Sequence, residues 1–154
     1  MNNTLQHSKP KTLAPDEGDA HPMLSHTLVW KLTGDDTNGQ YAMFEMIDTT
    51  GGEAPLHSHP WEETFYILEG EIEIQVGDRQ QIVSTGAMSH IPANVTHRFQ
   101  VRSPIARALH IVSPASAAAF YQEVGTAIAS LPPDLSLFQE ICAKYGLQLW
   151  GEKL

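Results

Sequence analysis

From His26 onward, apolar and polar positions fall into short runs broken by turn residues. LVWKL (28–32) ends at GDDTNG, and YAMFEMI (41–47) ends at DTTGG. TFYILEG leads into EIEIQVGD, where Ile72, Ile74 and Val76 alternate with Glu71, Glu73 and Gln75. That alternation predicts a strand with one buried and one wet face, bounded by turns at Gly70 and at Gly77-Asp78. QQIVSTG, SHIPAN, THRFQVRS and ARALHIVSP continue the series at short, regular spacing. Many short strands punctuated by Gly, Pro and Asn predict a mainly β fold, an antiparallel sandwich or barrel.

Both ends of the chain break this pattern. Residues 1–22 are polar, lack periodicity and contain Pro10, Pro15 and Pro22; they read as a flexible tail, ordered at most by docking on the body. After Ser113 the period becomes helical. Ser113-Pro114 reads as an N-cap followed by Pro at the first helical position, opening a helix of about 14 residues. Phe120, Val124 and Ile128 lie along one face, and Leu131-Pro132-Pro133 stops it. Asp134 is placed to cap a second helix, in which Phe138, Ile141, Cys142 and Tyr145 share a face and Gly146 follows the end. The expected organisation is a tail over 1–22, a barrel over 23–114, and a helical extension over 115–154 packed on the barrel.

The 154 residues suffice for one sizeable core. A formal charge of -9, with nine scattered cationic residues, argues against nucleic acid or an anionic membrane surface as partner. Cys142 is the single cysteine, so neither an intrachain disulfide nor a thiolate zinc site is available; its place on an apolar helix face predicts core filling. With no apolar leader and no run of about 18 apolar residues, a cytoplasmic location is the expectation.

The chemistry concentrates in GGEAPLHSHPWEETFYILEG, residues 51–70. His57 and His59 are two apart, so an extended strand turns both imidazoles to one face. Glu63 follows four residues later. Ligands of these types converging from a short stretch match what a divalent transition metal requires. The best fourth ligand is His97, which alternates with Phe99 and Val101 on the apolar face of a predicted strand. Pro92-Ala93-Asn94 supplies the preceding turn, Asn being one of the few residues that tolerate left-handed backbone.

These two segments resemble the motifs of the cupin superfamily, small jelly-roll barrels with a metal inside. The family's first motif is a glycine, five residues, HxH, three or four residues, glutamate, six residues and a glycine. Gly51, His57, His59, Glu63 and Gly70 match every fixed position. The second motif is met by Gly86, Pro92 and His97, with Asn94 replacing a glycine and Val101 replacing a non-ligand asparagine. The resemblance covers roughly residues 26–114, and the trailing helices look like those of small bacterial cupins often labelled quercetin-dioxygenase-like. It implies an antiparallel double-stranded β-helix with two C-terminal helices. It also implies a site of His57, His59, Glu63 and His97 holding one divalent metal: Fe, Mn, Ni, Cu or Zn.

Other residues carry weaker signals. Trp61, Phe65, Tyr66, Met88 and Phe99 serve as barrel core or line an apolar pocket. His90 and His110 read as structural or surface residues, with a supporting role at the site as the alternative. His7, His21 and His26 show no ligand spacing. Glu62 and Arg98 alternate away from Glu63 and His97 and should face outward, and Arg107 could clamp an anion only from inside.

The leading functional expectation is a metal-dependent oxidoreductase of the dioxygenase type, acting on a small organic molecule, with Glu63 as ligand and catalytic proton acceptor. The alternatives are an isomerase or lyase acting on a sugar acid or keto acid, and a non-catalytic ligand-sensing module. The family habit of pairing through edge strands or exchanged termini implies a homodimer.

Overall fold

The computed structural model describes residues 9–128 and 133–150. Eleven strands form two antiparallel sheets that face each other across the core. The first sheet has six strands in the order β1-β2-β3-β10-β5-β8. They are β1 (Asp19–Met23), β2 (His26–Leu32), β3 (Ala42–Thr49), β10 (Ile105–Ser113), β5 (Glu62–Glu69) and β8 (Met88–Ile91). The second has five in the order β11-β4-β9-β6-β7. These are β11 (Gln148–Leu149), β4 (Glu53–Ser58), β9 (His97–Val101), β6 (Glu71–Val76) and β7 (Arg79–Ser84). The fold is mainly β, as the alternating runs predict.

Each inward row comes from period-two alternation. Ile72 and Ile74 of β6 lie opposite Val101 and Phe99 of β9, and all four are buried. From the other sheet Phe44, Ile67, Ile91 and Val112 close the core at under 2 % exposure, each large aliphatic or aromatic side chain contributing about 1.5–3 kcal/mol of burial. Turn chemistry follows the sequence at the tightest corner. A Cβ on Gly70 would lie 2.2 Å from Ile105 O, and its φ is 82°, so only glycine fits.

The two ends depart from expectation. Asp19–Met23, read as the last part of a tail, is β1, in register with β2 from Asp19↔Trp30 to Met23↔His26. Its polar residues and Pro22 hid it, because an exposed edge strand needs no apolar alternation. Residues 9–18 lie on the body through Lys11 with Asp36, Lys31 with Glu17 O and Asp16 with Arg107; the tail's first eight residues fall outside the described ones.

Ser113 does not cap a helix. It ends β10 and donates its Oγ proton to Gln40 O. A 3-10 turn over Ala115–Ala117 precedes α1 (Ala118–Ala127), which has ten residues rather than about 14. The helix ends before Leu131 and Pro132, which lie outside the described residues. The second helix, α2 (Leu135–Lys144), follows its sequence signals: Asp134 Oδ1 accepts from Leu137 N at 3.1 Å, and Phe138, Ile141 and Cys142 are buried. Burial pushes the Cys142 thiol up to about 11, so it stays a protonated core filler. None of the helices is long and apolar enough to cross a membrane, among the described residues.

Candidate metal centre

His57 sits on β4 directly opposite His97, the first residue of β9, and His59 lies just beyond the end of β4. The turn that launches β9 is tied to this point, since Asn94 adopts a φ of 65° and its N–H donates to His59 O at 2.7 Å. The left-handed geometry expected of Asn94 thus sets where His97 enters. Glu63, the second residue of β5, faces inward while Glu62 faces solvent. Arg98 is likewise exposed.

The metal-binding nitrogens of His57, His59 and His97 all lie within 4.8 Å of one another. Their protonation follows from their backbone partners. His57 Nδ1 lies 2.6 Å from Pro55 O, His59 Nδ1 3.0 Å from Trp61 O and His97 Nδ1 2.9 Å from Val95 O. A carbonyl only accepts, so each Nδ1 carries the hydrogen and Nε2 of each ring is left to face the cluster. Burial first, then the neighbouring His97, pushes His57 down to about 3, which keeps its ring neutral.

Glu63 Oε2 stands beside two of these rings. It lies 3.1 Å from His59 Nε2 and 3.6 Å from His97 Nε2, and His97 Nε2 is buried without a hydrogen-bond partner. Burial opposes ionisation of Glu63, but its histidine neighbours, the His110 hydrogen bond foremost, outweigh it and hold the carboxyl well below the usual range. The group whose ligand atoms all lie within 4.8 Å is the three imidazoles, with the carboxylate next to it on the side of His59 and His97. A divalent metal fits this donor set, which is the three-nitrogen, one-oxygen chemistry of a transition-metal site.

The other carboxylate oxygen is anchored. Glu63 Oε1 accepts from His110 Nδ1 at 3.0 Å and from the Tyr121 hydroxyl at 3.2 Å. Burial, then the Glu63 charge, pushes the Tyr121 phenol well above its ordinary value, so it remains a donor. The His110 ring lies between Phe44 and Phe65, with centroids at 5.0 and 4.1 Å. His110 is therefore neither a surface group nor generic core: it supports Glu63, while His90 is exposed and bonds Thr64. Trp61 stacks on His59 at 4.1 Å with 5° between planes, fixing that ring's orientation.

A mostly apolar cavity of about 280 Å³ opens beside the cluster. Phe44, Phe65, Phe99 and Met46 line it from the barrel, Phe120 and Tyr121 from α1, and Phe138, Leu147 and Leu149 from the C-terminal segment. Phe65 and Phe99 thus meet the pocket expectation. Tyr66 and Met88 do not; they stand paired on the outer face, 46 % and 58 % exposed. Arg107 bonds Glu45 and Asp16 rather than entering the cavity.

Two contributions were not anticipated. Tyr121 carried no motif, and only its place one residue after the core-facing Phe120 hinted at it. His26, which shows no ligand spacing, is 6 % exposed, lines the cavity and pairs with buried Asp48.

A cupin domain family matches residues 44–112. Quercetin 2,3-dioxygenase of Bacillus subtilis (strain 168) is 26% identical over 90 residues, 58% of this chain. The match spans 27% of that enzyme, about a quarter of its length. Among solved structures, the polyketide cyclase RemF from Streptomyces resistomycificus superposes with a TM-score of 0.59 at 24% identity, over 68% of this chain and 80% of its own. An RmlC-like cupin from Shewanella frigidimarina gives 0.59 at 14% identity, over 70% and 94%. At these identities the likeness speaks for the fold. With both sequence motifs, the family match and the two-sheet barrel in agreement, residues 44–112 form a cupin domain.

Proposed function

We propose that this cupin is a metal-dependent oxidoreductase of the dioxygenase type, acting on a small, largely apolar organic molecule. The observation that carries the reading is the three-imidazole group of His57, His59 and His97, with the Glu63 carboxylate beside it, at the wall of an apolar cavity. His57, His59, Glu63 and His97 would hold one divalent metal ion, drawn from Fe, Mn, Ni, Cu and Zn. Such an ion supplies Lewis acidity and, if redox-active, electron transfer to dioxygen. The likeness to quercetin 2,3-dioxygenase supports oxygen chemistry over isomerase or lyase action.

The chain's own residues do the rest. Phe44, Phe65, Phe99 and Phe138 exclude water and present apolar surface to the substrate. Glu63 Oε2 serves as ligand and as proton acceptor for a group bound beside it, while His110 and Tyr121 keep Oε1 fixed. A cavity of about 280 Å³ is at the small end of ligand sites and suits one compact substrate. The same reading takes the working unit to be a homodimer covering the edge strand β8, where Met88 and its β5 partner Tyr66 are exposed; a monomeric mass in light scattering would remove that part.

Elemental analysis of untagged protein beside His97→Ala tests the site. One equivalent of iron, manganese, nickel or copper, absent from the variant, is the expected result, followed by oxygen uptake with candidate substrates. Turnover under anaerobic conditions would move the reaction to the isomerase or lyase class. No metal after reconstitution would overturn the metal reading.

A further inference from the structure

Away from the three-histidine cluster, the cavity wall holds a second buried ionisable pair. His26 opens β2 on the inward row that continues through Leu28 and Trp30. Its Nδ1 lies 2.6 Å from Asp48 Oδ2. Asp48 is 3 % exposed, and its Oδ1 accepts from Thr49 N at 2.8 Å. Gly52 is packed so closely on this carboxylate that a Cβ there would lie 1.8 Å from Oδ2. The Gly52 backbone thus closes one side of the carboxylate, which, as an acceptor, orients the imidazole with a hydrogen on Nδ1.

No hydrogen bond occupies the opposite nitrogen, Nε2, among the described residues, and in a neutral ring that atom carries the lone pair. The ring lines the cavity and packs on Phe99 at 5.7 Å between centroids. Phe99 is two residues past His97 on the same face of β9, about 7 Å along the strand. The other buried acceptors of the cavity are committed, and the remaining lining carboxylate, Glu53, is exposed to solvent. Glu63 Oε1 takes two donors and its Oε2 faces the cluster; His110 donates to Glu63, and its Nε2 is a buried atom. A structural tie between two strands would need neither a cavity-facing ring nor a buried carboxylate, since burying such a pair commonly gains little stability over apolar packing.

We infer that His26, positioned by Asp48, is a second proton-accepting group of the cavity, serving a substrate with an acidic C–H or O–H remote from the oxygen held at the cluster. The proton leaves that group for His26 Nε2. The bond to Asp48 is kept, the imidazolium forms beside the carboxylate, and the proton returns to product or solvent. The inference deepens the proposed function and rests on it for the far end of the substrate.

Two measurements on zinc-loaded protein test it. Diethyl pyrocarbonate acylates accessible neutral imidazoles, and mass spectrometry locates them. His26 should be modified while His57, His59 and His97 are protected, and Asp48→Asn should slow the His26 reaction at least about fivefold. Ring opening of 5-nitrobenzisoxazole requires only that a base remove one C–H proton as the N–O bond breaks. His26→Asn keeps a donor for Asp48 and loses the base, so the rate should fall roughly 100-fold with folding intact. An unmodified His26 beside an acylated, exposed His90, or an unchanged ring-opening rate in the variant, would overturn the inference. Failure of zinc to protect the three cluster histidines would instead sink the metal reading, whatever His26 does.

Discussion

Tyr121 and His57 show how single residues set the properties of this centre. Tyr121 gives one of two hydrogen bonds that hold Glu63 Oε1, and a bond to a charged acceptor is worth about 1.5–3 kcal/mol. Tyr121→Phe should lower the stability of metal-free protein by that order in urea titrations and weaken metal binding about 10-fold in a chelator competition. His57 carries a pH dependence whose sign follows from its direction. Its folded-state value is pushed down to about 3 from 6.5, so between these values the unfolded chain binds the extra proton. Stability of the metal-free protein should thus be intact above about pH 6.5 and decline as pH falls toward 3. His57→Asn, which keeps a donor for Pro55 O, should flatten that decline; unchanged urea midpoints across the range would contradict it.

At the scale of elements, the site depends on segments distant in sequence. The strand bearing His57 is flanked on one side by β9 and on the other by β11, through Leu149↔His57. Trp150 reinforces that edge, donating from N to Leu56 O at 2.8 Å and from Nε1 to Ser58 Oγ at 3.2 Å. Helix α1, which delivers Tyr121, is seated on β1 by a close backbone approach at Gly125, where a Cβ would lie 2.5 Å from Pro22 O. Gly125→Ala should raise intrinsic helix propensity yet cost about 1–3 kcal/mol, because the clash is with backbone. A thermal melt that rises instead would show that α1 can shift off β1 freely.

For the whole molecule, metal and fold are linked by mass action. An ion that binds only the folded chain stabilises that state. At a metal concentration about 1,000 times Kd the gain is about 4 kcal/mol, several degrees in Tm. Zinc or manganese should raise the melting temperature of wild type and leave His97→Ala unmoved.

The sequence by itself determined the barrel strands, the α2 cap at Asp134 and the strand faces that carry His57, His59, Glu63 and His97, because these are local matters. Period-two alternation selects the inward face, turn residues place the corners, and HxH on a strand turns both rings the same way. The outward turn of Glu62 and Arg98 was legible for the same reason. What only the tertiary structure decided are the pairings between remote positions: β1 and β11, which lack alternation because they lie at sheet edges; Ser113, drawn into β10; and Tyr121, His110 and the His26–Asp48 pair. Those side chains carry no spacing signal. They reach the cavity because sheet register, not chain proximity, sets which polar groups share its wall.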